Sequence, residues 1–339
     1  MRSRLGLIIT GLAAAAVLAG CSGSGGGGSP SGTASGGPAS TGAASTGPAS
    51  TGTSAAAPSS SVPSTFPSAS APSGPVYYVS LGDSYAAGYQ GTGRGTGATT
   101  THGFAYQVVT KARAKGYDYR LVNFGCAGAT TRSMLSTPGC PARLLGPGAP
   151  RYSATQTAAA VAFLKQHRGH IGLVTVSIGG NDVIPCGAKS DALGCLTSAV
   201  GSVRTNLDSI LRQVRSAAGP AARIVGTTYP DVLLGNLLST DSTLRSLAPL
   251  SVTAFRSLIN PQLQQAYTGV GGRFVDVTAA FGGYGSLSEK TSLPGRGSVP
   301  VPVARICTLT YFCDFQDIHP RTPGYAIIAD LVTATLPHE

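Results

Sequence analysis

The sequence predicts an α/β protein in which one five-stranded parallel sheet lies between two layers of helices. Short apolar, β-branched segments alternate along the chain with segments of helical length, a pattern typical of a parallel sheet with helices on both faces. The apolar segments are continuous, as expected of strands that are buried on both sides. The predicted strands are 76–81, 119–124, 171–178, 222–228 and 273–277, and the predicted helices lie around 104–115, 155–166, 196–217, 243–267 and 323–336.

Residues 1–21 have the pattern of an export signal. Arg2 and Arg4 precede an uncharged segment that is too short to span the hydrocarbon core of a bilayer comfortably. The segment ends in Leu18-Ala19-Gly20-Cys21, which resembles the lipobox of bacterial lipoproteins and implies a lipid anchor at Cys21. The alternative is an ordinary secretory signal with an incidental cysteine. Either interpretation predicts an extracytoplasmic protein, anchored to the outer face of the cell membrane or secreted.

Residues 22–75 predict a disordered tether. Between positions 22 and 74 every residue except Val62 and Phe66 is Gly, Ser, Ala, Thr or Pro. Such a segment cannot bury enough apolar surface to offset the entropy of ordering it. As a flexible coil it would span roughly 40 Å, which lets a globular domain act at a distance from a membrane.

Residues 76–339 have the length of one α/β domain with long loops. The chain has 24 Lys and Arg and 13 Asp and Glu, and only Arg2 and Arg4 lie outside this segment, so its net charge is about +9. The charges are scattered without an aromatic stacking platform, so nucleic acid is not an expected partner. The basic surface is either ordinary for a protein beside an anionic envelope or attractive to anionic lipid or polymer. A monomer is expected.

Six cysteines in this domain predict three disulfide bonds, because an even number in an exported domain is typical of a disulfide framework. Six cysteines allow 15 pairings, and the sequence does not choose among them. Pairing each cysteine with its neighbour in the sequence would close three short loops. Zinc is the competing use of clustered cysteines, but no CxxC pair or nearby histidine supports it. The six are Cys126, Cys140, Cys186, Cys195, Cys307 and Cys313.

Short polar motifs follow the first three predicted strands, and a fourth precedes the last helix. In open parallel sheets the ligand site lies at the carboxyl ends of the strands, so these motifs are expected to meet at one edge. They are Gly82-Asp83-Ser84, Asn123-Phe124-Gly125-Cys126-Ala127-Gly128, Gly179-Gly180-Asn181-Asp182 and Asp317-Ile318-His319-Pro320.

Ser84 is the candidate nucleophile, because a hydroxyl at the end of a strand becomes reactive when a neighbouring base removes its proton. His319 is the candidate base, since none of the other four histidines follows a strand end or a comparable loop. Attack on an ester carbonyl builds negative charge on its oxygen, which needs positioned hydrogen-bond donors. The expected donors are the Ser84 and Gly125 N–H groups and the Asn181 carboxamide. The alternative is structural: the glycines only form turns, and Asn181 forms a turn or caps a helix.

The four motifs, in this order, resemble the blocks of the SGNH hydrolases, also called the GDSL esterase and lipase family. The context Leu81-Gly82-Asp83-Ser84-Tyr85-Ala86-Ala87-Gly88 and the paired cysteines look like the secreted actinobacterial branch. The resemblance covers the whole globular domain and implies a flavodoxin-like three-layer fold. It also implies that Ser84 is the nucleophile, that Gly125 and Asn181 complete the oxyanion hole, and that His319 is the base.

The third member of the triad departs from the family pattern. The family usually places an aspartate three residues before the histidine, where this chain has Gln316, with Asp317 one residue later. Asp317 is the predicted partner of His319, because a buried carboxylate fixes the tautomer and stabilises the imidazolium. A backbone carbonyl, which would leave a Ser-His dyad, and Asp314 are the alternatives. Asp83 is predicted to fix the nucleophile turn by hydrogen-bonding backbone amides.

The predicted function is that of a serine esterase or lipase that hydrolyses small-molecule or lipid esters through an acyl-enzyme on Ser84. An envelope O-acyltransferase with the same machinery and a catalytically idle envelope-binding protein are the alternatives. No metal or organic cofactor is implied. Three long loops, 91–101, 136–152 and 282–307, are expected to shape the pockets, and small or soluble esters are favoured because no strongly amphipathic lid helix stands out.

Overall fold

A computed structural model describes residues 74–337 of the chain. The predicted signal, Cys21 and all but the last two residues of the predicted tether lie outside the described residues. The strands are β1 Val76–Gly82, β2 Tyr89–Gly93, β3 Thr96–Thr99, β4 Tyr119–Asn123, β5 Ile171–Ser177, β6 Arg223–Thr227, β7 Arg273–Val275, β8 Lys290–Leu293 and β9 Gly297–Pro300. The helices are α1 Ser84–Ala87, α2 Phe104–Arg113, α3 Thr131–Ser136, α4 Gln156–Gln166, α5 Gly180–Val183, α6 Ala192–Ala218, α7 Ser242–Ala254, α8 Asn260–Thr268, α9 Val277–Ala280, α10 Val301–Leu309, α11 Phe312–Phe315 and α12 Thr322–Ala334.

The central sheet has five parallel strands in the order β4-β1-β5-β6-β7. All five fall at the predicted positions, which confirms the α/β fold class. Successive side chains of a strand point to opposite faces, and β1 shows this directly: Val79 and Leu81 belong to one core cluster and Tyr78 to the other. The first cluster includes Leu207 of α6, and the second includes Tyr325 of α12. The sheet is therefore buried on both faces.

The helix predicted around 243–267 is interrupted. A π-helical segment, Phe255–Ile259, separates α7 from α8. Pro261 follows at the start of α8, and a proline there cannot donate the backbone hydrogen bond that would continue α-helical geometry. The local register widens instead, which is how short π segments arise inside longer helices.

Three 3₁₀ segments, Ala142–Leu144, Ile184–Ala188 and Val232–Leu238, complete the described secondary structure. Two antiparallel hairpins, β2–β3 and β8–β9, occupy parts of the chain that were predicted to be loops. The loop predicted over 282–307 also contains most of α10. Within residues 74–337 no helix has the length and apolar character needed to cross a membrane.

All six cysteines of the domain form disulfide bonds between neighbours in the sequence. The pairs are Cys126–Cys140, Cys186–Cys195 and Cys307–Cys313. The prediction of three local disulfides is thus confirmed, and the zinc alternative is wrong because these sulfurs are already bonded to each other. Disulfides persist in oxidising compartments, which supports an extracytoplasmic location.

Candidate active site

The turn that carries Ser84, the candidate nucleophile, begins at Gly82, the last residue of β1. Its φ is +135°, and a Cβ there would lie 1.9 Å from the Ser177 carbonyl oxygen of the neighbouring strand. Only glycine fits this close approach between backbones. The Asp83 N–H donates to the same Ser177 oxygen at 3.0 Å, so the chain leaves the sheet in a fixed direction. Ser84 then becomes the first residue of α1.

Gln156, at the start of α4, forms two hydrogen bonds to the backbone of this turn, and no sequence motif singles it out. Its Nε2 donates to the Gly82 carbonyl oxygen at 3.0 Å, and its Oε1 accepts from the Gly82 N–H at 2.8 Å. The Gln156 side chain is buried, so both bonds are protected from water. A glutamine is suited to this role because one side-chain amide can satisfy both backbone groups of a residue.

Asp83 caps α1 and connects the turn to the end of β6. One carboxylate oxygen accepts from the Tyr85 N–H at 2.9 Å, which confirms the predicted backbone hydrogen bond. The other oxygen accepts from the Tyr229 hydroxyl at 2.6 Å. Burial raises the pKa of Asp83 from its usual range to about 6, against the opposing effect of these hydrogen bonds. The turn is thus tied to a tyrosine that sequence reasoning did not identify.

The structure brings Ser84, His319 and Asp317 together in a line. The Nε2 of His319 lies 2.8 Å from the Ser84 Oγ, and its Nδ1 lies 2.7 Å from the Asp317 Oδ1. The same Asp317 oxygen accepts from the His319 backbone N–H at 2.8 Å. Because a carboxylate only accepts, Nδ1 carries the proton, and the Nε2 lone pair faces the Ser84 hydroxyl. The His319 and Asp317 side chains are only 13% and 10% exposed.

Gln316, at the usual family position of the aspartate, and Asp314 both bind arginine side chains. Gln316 adopts a left-handed conformation with φ of +55°, and its Oε1 accepts from Arg94 at 2.7 Å. Asp314 forms ion pairs with Arg296 and Arg321. The predicted alternative at Asp314 is therefore wrong, since its carboxylate is held by two arginines.

Aromatic side chains and the β2–β3 hairpin pack around His319, the candidate base. The Tyr89 ring centroid lies 4.5 Å from that of the His319 imidazole, and the Tyr85 hydroxyl donates to the Ile318 carbonyl oxygen at 2.6 Å. Gly91 lies so close to Asp317 that a Cβ would be 2.7 Å from its Oδ2. The segment expected to shape a pocket is thus a hairpin that covers the candidate acid and base.

The expectation that the Gly125 N–H faces the site needs correction. This N–H already donates to the Asn123 Oδ1 at 2.9 Å, and a Cβ at Gly125 would lie 2.7 Å from the Ala87 backbone nitrogen. Gly125 is thus a buried packing position beneath α1. Gly128, the later glycine of the same motif, is exposed, has φ of +84°, and its N–H has no hydrogen-bond partner among residues 74–337.

Asn181, on α5, reaches toward the same loop. Its Nδ2 donates to the Ala129 carbonyl oxygen at 2.8 Å, which places the carboxamide beside the residue that follows Gly128. The neighbouring Asp182 accepts from both the backbone N–H and the hydroxyl of Thr131, at 2.9 and 2.6 Å. Burial raises the pKa of Asp182. These bonds fix α5 against α3 and leave the second hydrogen of the Asn181 amide available.

A small apolar pocket of about 80 Å³ opens beside Ser84. Its lining includes the apolar side chains of Val183, Ile184, Val232 and Ile318, and it also includes Asn181. None of its lining residues comes from the three long loops that were expected to shape the pockets. Those expectations are wrong for this pocket, which is built from the segments after β1, β5 and β6 together with Ile318.

The chain belongs to the GDSL-like lipase/acylhydrolase family, whose model matches residues 80–327. It is similar to an extracellular lipase from Streptomyces rimosus, with 19% identity over 76% of this chain and 99% of that one, and a TM-score of 0.42. A phospholipase A1 from Streptomyces albidoflavus has 18% identity over 78% of this chain and 100% of that one, with a TM-score of 0.42. No curated protein matches the chain.

Proposed function

We propose that this protein is a serine esterase that hydrolyses carboxylic esters through an acyl-enzyme on Ser84. The observation that carries the proposal is the line of contacts from the Ser84 Oγ through His319 to Asp317, at 2.8 and 2.7 Å. His319 accepts the hydroxyl proton as the Ser84 Oγ attacks the ester carbonyl carbon. The imidazolium then donates that proton to the leaving alcohol oxygen, and the acyl group stays on Ser84.

Water completes the cycle by the same route. His319 removes a proton from water, the resulting hydroxide attacks the acyl carbon, and the proton returns to the Ser84 Oγ as the acid leaves. Asp317 accepts from Nδ1 throughout, which stabilises the positive imidazolium that each half-reaction creates. The low exposure of both side chains strengthens this electrostatic effect.

We further assign the oxyanion donors to the Ser84 N–H, the Gly128 N–H and the Asn181 Nδ2. Gly128 replaces Gly125 in this role because its N–H has no partner among the described residues, whereas that of Gly125 is occupied. Each such donor is worth about 3 kcal/mol of transition-state stabilisation. The loss of kcat in Asn181→Ala is then expected to be about a hundredfold.

Hydrolysis of short p-nitrophenyl esters by the full chain, compared with Ser84→Ala, tests the proposal. The native chain is expected to release p-nitrophenol and to bind a fluorophosphonate covalently at Ser84, and Ser84→Ala to do neither. Ser288→Ala, at an exposed serine, is the matched control and should behave as the native chain. Hydrolysis that persists in Ser84→Ala would overturn the proposal. A native chain inert to every ester would favour the idle binding protein, and an acylated sugar formed from an added acceptor would assign an acyltransferase.

A further inference from the structure

A second apolar pocket lies directly behind the one beside Ser84. Its volume is about 30 Å³, and it is formed by Val200 and Val203 of α6, Leu263 of α8, and Phe255 and Ile259 of the π-helical segment. We call it the distal pocket, and the one beside Ser84 the proximal pocket. Segments of π-helix occur frequently at functional sites, and this one supplies a wall of the distal pocket.

The two pockets share three lining residues, Gly180, Val183 and Tyr229. Gly180 has no side chain, so the Tyr229 ring and the Val183 side chain form the partition between the pockets. A Cβ on Gly180 would lie 3.1 Å from the Tyr229 Cζ, so the glycine allows the ring to pack closely against this backbone. The pockets are therefore neighbours across one layer of side chains.

Two contacts fix the Tyr229 ring in this position, and a third fixes its backbone. Its hydroxyl donates to the Asp83 Oδ2 at 2.6 Å, and its carbonyl oxygen accepts from the Thr278 hydroxyl at 2.7 Å. The ring packs edge-to-face on Tyr85 with centroids 5.0 Å apart. The Asp83 carboxylate, which caps α1, thus also fixes the Tyr229 ring between the two pockets.

The chemistry of both pockets suits a hydrocarbon chain. The proximal pocket is lined by Val183, Ile184 and Val232, and the distal pocket by the valines of α6. Gln262 is the one side chain with an amide or charged group on the distal lining. A polar group entering this space would lose its hydrogen bonds to water without finding enough partners. An alkyl chain loses nothing by the transfer and gains free energy for each buried methylene.

We propose that Tyr229 and Val183 set the length of the acyl chain that Ser84 accepts, by closing the proximal pocket against the distal one. The inference rests on the proposed esterase function and specifies its substrate class: short-chain acyl esters for the native chain. The distal pocket is the blocked extension of the acyl site. Removal of either side chain joins the two pockets and admits a longer acyl group.

The test is the ratio of kcat/KM for p-nitrophenyl octanoate to that for the butyrate, measured on full-length variants. A ratio cancels any defect that affects both esters equally. Val183→Ala opens the partition and leaves the Tyr229–Asp83 hydrogen bond intact. Tyr229→Ala opens it and removes that bond, and Tyr229→Phe is the matched control, since it removes the bond and keeps the ring.

Val183→Ala and Tyr229→Ala are expected to raise the ratio at least tenfold, because each methylene newly buried is worth about fourfold. Tyr229→Phe should lower kcat for both esters and leave the ratio within about twofold of the native value. An unchanged ratio in both alanine variants, with thermal unfolding showing that they fold, would overturn the inference while the esterase function stands. Absence of hydrolysis of every ester by the native chain would instead overturn the proposed function.

Discussion

His319 is fixed by a side chain only two residues away, and this spacing has a physical explanation. The Asp317 Oδ1 accepts from the backbone N–H of His319 as well as from its Nδ1, at 2.8 and 2.7 Å. An aspartate that bonds the N–H two residues later forms an Asx-turn, and here the turn brings the ring to the same oxygen. A carboxylate can therefore contact the Nδ1 of His319 without the usual family spacing of three residues.

Replacement of Asp317 by asparagine should show whether Asp317 only orients His319 or also stabilises the imidazolium through its negative charge. Asp317→Asn keeps an oxygen that can accept from the His319 backbone, so the fold should be retained. The neutral amide stabilises the imidazolium poorly and permits the wrong tautomer, so kcat is expected to fall about a hundredfold or more with KM little changed. Steady-state kinetics on a short p-nitrophenyl ester measure both. Asp314→Asn is the control, because the Asp314 carboxylate is exposed and bound to Arg296 and Arg321. Its kcat should stay within about twofold of the native value. A loss under tenfold in Asp317→Asn would favour a Ser-His dyad.

Asp231, next to the wall of the proximal pocket, is expected to make stability depend on pH. Its side chain is fully buried, its Oδ1 has no hydrogen-bond partner among the described residues, and its Oδ2 lies 2.8 Å from the Ser251 hydroxyl. Burial raises its pKa from 3.8 to about 7. A raised folded-state pKa means that the neutral form stabilises the fold below about pH 4 and that this stability is lost as pH rises through 7.

Asp231→Asn removes this titration and keeps the shape of the side chain. The free energy of unfolding of the variant, relative to the native chain, should therefore increase by about 2 kcal/mol between about pH 5 and pH 8. Urea denaturation at several pH values measures the difference. Asp118→Asn, at an exposed carboxylate, should show no such trend. A difference for Asp231→Asn that is independent of pH would mean that the carboxylate is not held neutral.

The β2–β3 hairpin shows why elements near the site escaped prediction. Its sequence, Tyr89–Gly93 and Thr96–Thr99, has no alternating apolar residues, so the pattern that identified the five central strands is missing. Its stability comes from partners far along the chain. The Arg94 guanidinium donates to Gln316, and the Tyr89 carbonyl oxygen accepts from the Tyr325 hydroxyl. Contacts between residues more than two hundred positions apart leave no local signal.

The close approach of this hairpin to Asp317 can be tested at Gly91. Its φ is not in the left-handed region, so the backbone tolerates alanine, but the new Cβ would lie 2.7 Å from the Asp317 Oδ2. Gly91→Ala should displace the carboxylate and lower kcat about a hundredfold, since misplacement of a catalytic group by about 1 Å costs that much. Gly201→Ala, where nothing lies within 4 Å of the new Cβ, should keep full activity and slightly raise the melting temperature. Native activity in Gly91→Ala would show that the hairpin does not position Asp317.

At the scale of the whole molecule, the features of the fold that could be predicted are those that depend on a local sequence pattern. Continuous apolar segments predicted the parallel sheet, and the sheet gathers Ser84 and Asn181 at one edge because the strand ends meet there. His319 reaches Ser84 from the loop that precedes α12. The choice between Gly125 and Gly128 depends on which backbone N–H is free. Asn123 determines this through a hydrogen bond that spacing does not reveal. The proximal pocket is likewise lined by the segments after β1, β5 and β6 and by Ile318, which are neighbours because of packing and not because of composition.

The predicted lipid anchor at Cys21 can be tested by substituting this residue and varying the salt concentration. The segment 76–339 carries a net charge of about +9. We expect this charge to attract it to anionic membranes at low ionic strength and the attraction to be screened at high ionic strength. A lipid anchor at Cys21 would not be screened, because buried acyl chains hold the protein through the hydrophobic effect. We expect the native chain, expressed in a bacterium that processes lipoproteins, to stay in the membrane fraction at about 0.05 M and about 1 M NaCl. Cys21→Ser should remain there only at the lower concentration. Release of the native chain at the higher concentration would show that charge alone holds it and that the N-terminal segment is an ordinary secretory signal.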